Sequence, residues 1–200
     1  ITDLSSKEGA KLGTQVEKFS RRYAVDATEA AKALYMTISA GVPATNGGAQ
    51  AFEVMGEAMK FGKAALLDAA GSVDLMTTVL NSYGMKASEA SKVTDILFTT
   101  IKLGKTTGEE LAGSLGRVTA IANSAGVSIE DLAGSMVVLT RAGLSTEESS
   151  TALRGLIASI AKPTEKSKKA IEELGLEMFN QGTLAQKGGI FKVLGELRDK

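Results

Sequence analysis

The feature that most constrains this chain is where its glycines fall. At Ala40-Gly41-Val42, Tyr83-Gly84-Met85, Ala125-Gly126-Val127, Ala142-Gly143-Leu144 and Leu174-Gly175-Leu176, a glycine directly precedes an apolar residue at the end of an apolar run. Glycine reaches the left-handed conformation that ends a helix, and the apolar residue after it folds back onto the last turn. A single long rod would carry these glycines in its interior, each at a cost of roughly 1 kcal/mol relative to alanine. Short helices use them as caps instead. The chain has 22 glycines but only 2 prolines, a combination that fits ended helices better than a disordered linker.

Between the glycines, apolar residues recur at helical spacing. The stripes are Ala27, Ala31, Leu34, Ile38; Phe52, Met55, Met59; Met76, Val79, Leu80, Tyr83; and Ala90, Val93, Leu97, Ile101. They continue through Leu111, Leu115, Val118, Ala122, Ala125; Leu132, Met136, Leu139; and Leu153, Leu156, Ile157, Ile160. Ser88, Ser128, and Ser145 or Thr146 stand where N-caps belong, each just ahead of glutamates that favour a helix N-terminus. The expected fold is all-α: a compact bundle of about eight to ten short helices with glycine-capped junctions. Residues 1–175 form the expected helical core domain. In residues 176–200, Met178 to Leu184 carries a turn signal that reads as a small β-hairpin near 176–184 or an ordered loop. Gly188-Gly189 follows, and Ile190 to Leu197 returns to helix.

Two near-repeats accompany the junctions. Ala125 to Asp131 matches Ala142 to Glu148, and Tyr23 to Ala33 matches Tyr83 to Val93. Shared helix–turn–helix chemistry explains both more simply than duplication.

Composition removes several function classes. With no cysteine and no histidine, disulfides, thiolate chemistry, Ser-His-Asp catalysis and most zinc sites drop out. Formal net charge is zero, and residues 1–100 carry 10 basic and 11 acidic side chains against 13 and 12 in residues 101–200. No large field marks a nucleic-acid or membrane partner. The uncharged stretch from Ala33 to Phe52 contains Gly41, Pro43, Asn46, Gly47 and Gly48, which reads as two helix ends and a loop rather than a membrane span. No signal peptide is visible, and the ends at Ile1 and Lys200 read as those of an excised fragment.

Four clusters invite a chemical reading. Gly104-Lys105-Thr106 has the end of a phosphate-binding loop, but Thr99 replaces the second glycine and the preceding segment is helical. Glu147-Glu148-Ser149-Ser150 is similar to the Glu-Ser of helical lytic transglycosylases, yet Gly155-Leu156-Ile157-Ala158 lacks their downstream glutamine and Arg154 intervenes. Lys162, Lys166, Lys168 and Lys169, diluted by Glu165, Glu172 and Glu173, read as a solvated helix face. Gly9 and Gly13 form a small-xxx-small pair suited to close helix packing. None has the spacing of a calcium loop. No catalytic, cofactor-binding or metal-binding residue is expected, and no cofactor.

The ordered series resembles the core region of phage tail tape-measure proteins, the phage-related minor tail proteins. It runs through Asp26 to Leu34, Ser39-Ala40-Gly41-Val42, Asn81 to Ala90 and Gly126 to Asp131. Its most specific part is Leu139-Thr140-Arg141-Ala142-Gly143-Leu144-Ser145, then Thr151-Ala152-Leu153-Arg154, Pro163 and Glu173-Leu174-Gly175. The resemblance implies a structural tail protein, not an enzyme, whose length sets tail length and which takes part in assembly and genome delivery. It implies as partners the tail tube, tail-tip or baseplate proteins, tail assembly chaperones and self-association, with no sequence-specific nucleic acid and no membrane span in this stretch. The place implied is the virion tail, with the host cytoplasm during assembly. The competing readings are an α-helical adaptor or protein-binding scaffold and, behind it, a cell-wall hydrolase module. A compact bundle also sits awkwardly with a chain threaded along a tube.

Overall fold

Six chain reversals share one geometry. Ala24, Gly41, Leu66, Gly84, Gly126 and Gly143 all have positive φ, between 50° and 106°. After each, the next residue donates its N–H to the carbonyl five residues back: Val25 to Ser20, Val42 to Thr37, Leu67 to Gly62, Met85 to Leu80, Val127 to Ala122 and Leu144 to Leu139, at 2.8–3.2 Å. This is the Schellman closure, and the donors are the apolar residues that fold back onto the helix just ended. The four glycine junctions of the sequence that fall among the described residues all adopt it. Gly175 lies outside them. Two further junctions use Ala24 and Leu66 in place of glycine, each accepting the penalty of a side chain in the left-handed region.

The computed structural model describes residues 6–161 and residue 165. Among the described residues there are nine α-helices, with no strand. They are α1 (Ser6–Tyr23), α2 (Ala27–Ser39), α3 (Thr45–Ala65), α4 (Ala69–Tyr83), α5 (Ala90–Leu103), α6 (Gly108–Ser114), α7 (Gly116–Ser124), α8 (Ile129–Arg141) and α9 (Thr146–Ala161). The expected hairpin near 176–184, the helix from Ile190 to Leu197 and the lysine cluster at Lys162, Lys166, Lys168 and Lys169 lie outside the described residues.

Capping explains most starts. Asp26 accepts from the Thr28 and Glu29 amides, Asp68 from Gly71 and Ser128 from Asp131. Ser145, not Thr146, caps α9: its hydroxyl accepts from Glu148 N–H while the Glu148 carboxylate accepts from Ser145 N–H at 2.8 Å. Ser88 caps nothing. It lies inside a short 3₁₀ turn, Ala87–Glu89, and Glu89 reaches back to the Lys86 amide. The start of α3 is unusual. Asn46, Gly47 and Gly48 run in left-handed conformation, and a Cβ on Gly48 would meet Leu12 at 2.8 Å.

The stripe Leu111 to Ala125 is one apolar face shared by α6 and α7, all five residues buried. The chain passes through Leu115 in helical conformation, with Leu115 N–H on Leu111 O and Thr119 N–H on Leu115 O, so α6 and α7 form one bent unit. On α2 the expected stripe is half right. Leu34 is buried, but Ala27 and Ala31 face solvent, and Ala30, Ala33 and Thr37 face inward. Alanines cover both faces of this helix and carry no directional signal, and a threonine does not score as apolar.

The helices pack around α3 and α4. α1, α2, α4 and α5 lie against α3; α6 and α7 lie against α4; α9 closes over α6, α7 and α8. Phe61, Met55, Met76, Leu97, Leu111, Leu132, Met136 and Ile157 are fully buried and belong to one contiguous core. α1 is fixed to α3 through Leu12, Val16 and Phe19, with Phe19 stacked near Tyr23 and Phe52 at centroid distances of 4.4 and 5.8 Å.

Two positions separate conformation from packing. Gly143 has φ +106° and open space where a Cβ would stand, so Gly143→Ala should destabilise by about 1–2 kcal/mol from backbone strain alone. Gly155 lies inside α9, also with open space, so Gly155→Ala should stabilise by up to about 1 kcal/mol. Urea denaturation of both variants measures this. Equal signs would mean that Gly143 is not a left-handed cap. Leu66, 94% exposed at φ +57°, should gain stability on replacement by glycine, by up to about 1 kcal/mol, read as a raised Tm.

Candidate functional site

Three of the four sequence clusters fall among the described residues and can be placed on this fold. Gly104 ends α5 in extended conformation, φ −86° and ψ 172°, rather than in the left-handed form of the other glycine ends. Its N–H is bound by Thr100 O, Lys105 N–H by the Thr140 hydroxyl at 3.2 Å and Thr107 N–H by Glu110 at 3.0 Å. A phosphate-binding loop must offer free amides. Here three amides of this turn already serve protein oxygens, one of them an anionic carboxylate. The turn is a structural knot: the buried Thr146 hydroxyl lies 2.7 Å from the Thr106 hydroxyl and 3.0 Å from Glu110, which joins the α5–α6 connection to the start of α9.

Glu147 and Glu148 also have structural duties. Glu147 pairs with Arg117. Glu148 accepts from the amide and hydroxyl of Ser145, which hold its carboxyl below the usual range. A glycosidase general acid needs the opposite shift, since it must keep its proton at working pH. Ser149 and Ser150 are buried beneath the helix surface. Ser149 Oγ has no hydrogen-bond partner among the described residues, whereas Ser150 Oγ lies 3.8 Å from Met136 Sδ. Gly9 and Gly13 are exposed with nothing within 4 Å of a would-be Cβ. Among the described residues nothing packs closely at this pair, because α1 docks on the bundle through its other face. Among the described residues no group of acidic side chains could hold a metal ion, and no helix is long and apolar enough to cross a membrane.

What the bundle does present is a groove. It runs between α5 and α8, encloses about 360 Å³ and is floored by Ile96, Leu103, Ala133, Gly134 and Val137. Lys92 and Glu130 bridge one end at 2.7 Å. Their pairing lowers the Glu130 pKa and raises that of Lys92. Leu103 in its lining is 50% exposed. Beyond Glu130, burial pushes the Tyr83 phenol well above its usual range, with the Glu130 and Asp131 carboxylates adding to the shift, and its hydroxyl has no partner among the described residues. The core stripes did not reveal the groove. Its signal is a second set of apolar positions, Ile96 and Leu103 on α5 with Ala133 and Val137 on α8, that flank the main core stripes. A smaller polar cleft lies where the ends of α2 and α4 meet, among Gln50, Glu53, Asn81 and Lys86, with Asn81 tying the two turns together through Ala40 O at 2.8 Å.

Residues 13–200 match the family described as phage-related minor tail protein, which takes in the whole bundle from the middle of α1 onward. The chain belongs to the phage-related minor tail protein family. That family is one of structural components of phage tails. The chain is similar to the tape measure protein of Pneumococcus phage Dp-1, with 26% identity over 180 residues. That stretch covers 90% of this chain but only 15% of the relative's length. No solved structure matches this member of the minor tail proteins.

The Thr106–Glu110–Thr146 knot yields a prediction. Hydrogen bonds from the Thr107 amide and the Thr146 hydroxyl lower the Glu110 pKa, so its stabilisation is full above the unfolded carboxylate value of about 4.3 and is lost as pH falls through the lower folded value. Glu110→Ala should cost about 1 kcal/mol at neutral pH, and the gap to wild type should close below pH 4. A gap unchanged down to pH 2 would refute the assignment. Denaturant titrations across that range measure it.

Proposed function

We propose that this chain is part of a tape-measure protein: it contributes to setting tail length, takes part in tail assembly and leaves with the genome at infection. The observation that carries this reading is the extent of the likeness. Nine-tenths of the chain aligns with a tape measure protein, and the family match runs through both the bundle and the segment after it. The fold supports a structural role, because the polar clusters at 104–110 and 145–148 act as caps, ion pairs or inter-helix ties. On this reading the partners are the tail tube, the tail-tip or baseplate proteins and the tail assembly chaperones. The chain is made and assembled in the host cytoplasm and is not an enzyme.

Tail length tests the proposal directly. A continuous helix of 200 residues would span about 300 Å, whereas a folded module of this size has a radius of gyration of about 16–17 Å. In-frame deletion of this stretch in the phage should shorten tails by up to about 300 Å, and tandem duplication should lengthen them by the same increment. Electron microscopy of purified particles measures both. Intact tails of unchanged length in both mutants would refute the ruler role.

A further inference from the structure

At the α3–α4 turn, one residue carries two penalties. Leu66 is held at φ +57° and is 94% exposed, so the chain bears there both a left-handed side chain and an unburied leucine. The amides of Leu66 and Leu67 close on Gly62 O, and Asp68 caps α4 through Gly71 N–H at 2.7 Å. The local sequence does not require a turn: Lys63 to Ala70 include neither glycine nor proline and are mostly good helix formers. The apolar register also runs straight through. Met55, Met59 and Gly62 on α3 and Ala69, Val73 and Met76 on α4 are buried. Position 66 is the missing member of their alternating four-and-three series, the spacing of a continuous helical seam. Ala24 lacks this continuity, because the series through Phe19 and Tyr23 reaches the carboxylate of Asp26, which caps α2.

We propose that this turn is a swap hinge: two copies of the chain exchange halves by straightening residues 66–68 into helix. In each chain α3 and α4 then form one continuous helix, and α1–α3 of one copy pack on α4–α9 of the other. In the closed chain the halves meet through α2 and α3 against α4, and through α3 against α5, within one contiguous core. The exchange remakes these contacts between chains, so the hinge sets the balance. Opening gives up the Asp68 cap and the bond from Ala69 N–H to Glu29 at 3.2 Å. It gains intrahelical hydrogen bonds for those amides, a right-handed Leu66 and a place for the leucine side chain in the seam. A short, strained hinge favours exchange over closure, and the partner it selects is a second copy of this chain. The inference rests on the junction and not on the tape-measure reading.

Refolding the full 200-residue chain at high and at low concentration, followed by size-exclusion chromatography with light scattering, tests the proposal. Wild type refolded at high concentration should give a dimer that persists on dilution, because release requires the two halves to part. Leu66→Gly favours the closed turn and penalises the continuous helix, so it should cut the dimer fraction by about tenfold or more. Asp68→Ala removes the cap of the closed turn and should raise the fraction severalfold. No dimer at any concentration, or a dimer untouched by Leu66→Gly, would overturn the proposal. The chain has no cysteine, so spin labels at Glu53→Cys and Asn81→Cys report on the hinge alone. These residues line one cleft in the closed chain and would stand about 42 Å apart along a continuous helix. With labelled chain refolded in an excess of unlabelled chain, the dimer should show the long distance and the monomer the short one. Glu53→Cys with Lys86→Cys, which spares the Asn81 bond to Ala40 O, repeats the contrast. A short distance in the dimer would mean side-by-side association with closed turns and would rule out the swap.

Discussion

Everything in this architecture depends on one backbone event, repeated six times: a single residue enters the left-handed region, and the amide after it closes on the carbonyl five residues back. Were any of these residues right-handed, two helices would merge and their apolar faces would diverge along a rod. The closure sets where each helix stops, and the apolar donor ties the turn to the helix it has just left. Four junctions obtain this geometry from glycine. At Ala24 and Leu66 the rest of the fold supplies what the residue does not, at a penalty of roughly 1–2 kcal/mol each. At Ala24 the compensation is visible, since Ser20 bonds Val25 twice: its carbonyl accepts the Val25 amide, and its hydroxyl donates to the Val25 carbonyl at 2.6 Å.

The interior follows from the same economy of small residues. Aromatics are 4% of the chain, so volume comes from methionine and aliphatic side chains, and helices approach over glycine and alanine. Gly56 lies under the Tyr23 hydroxyl, where a Cβ would come within 2.7 Å. Four buried threonines are tolerated because each satisfies itself. Thr37, Thr77, Thr100 and Thr140 all donate to the carbonyl four residues back, at 2.7–2.8 Å. Back-bonding of this kind leaves the methyl group free to pack and no hydroxyl orphaned. These four threonines thus place polar atoms in the core without needing a side-chain partner.

These two features explain what the sequence discloses and what it hides. Glycine before an apolar residue is a local signal, so Gly41, Gly84, Gly126 and Gly143 were legible as helix ends. Ala24 and Leu66 were not, because their conformation is imposed by packing rather than favoured by the residue. Strongly apolar stripes such as Leu111 to Ala125 could be read directly. The α2 face could not, because its inward positions are alanine and threonine. Ser88 was misread as a cap because serine before glutamate is a cap signature, whereas here the glutamate serves the Lys86 amide. The groove was hidden because periodicity finds the dominant face of a helix, and α5 and α8 each carry a second, weaker one. The clusters at 104–106 and 147–150 were legible as incomplete motifs, and the hydrogen bonds show why they remain so.

The proposed tape-measure role sets a physical condition on this bundle. α6, α7 and α2 have 7, 9 and 13 residues, lengths at which an isolated helix is marginal in water. Their stability comes from the apolar faces they bury in one another. A chain drawn out along a narrow tube would expose those faces and lose the interactions that keep the helices formed. An extended form therefore requires a replacement for the buried surface, supplied by other copies alongside or by the tube wall. The six left-handed residues decide how such a change proceeds. Rotating one of them into the right-handed region joins two helices, and at Ala24 and Leu66 that rotation relieves strain. At Gly41, Gly84, Gly126 and Gly143 it relieves none, and it leaves a glycine inside a helix at about 1 kcal/mol. The α1–α2 and α3–α4 junctions are consequently the places where the bundle gives way first, and the four glycine junctions the ones that hold it folded longest.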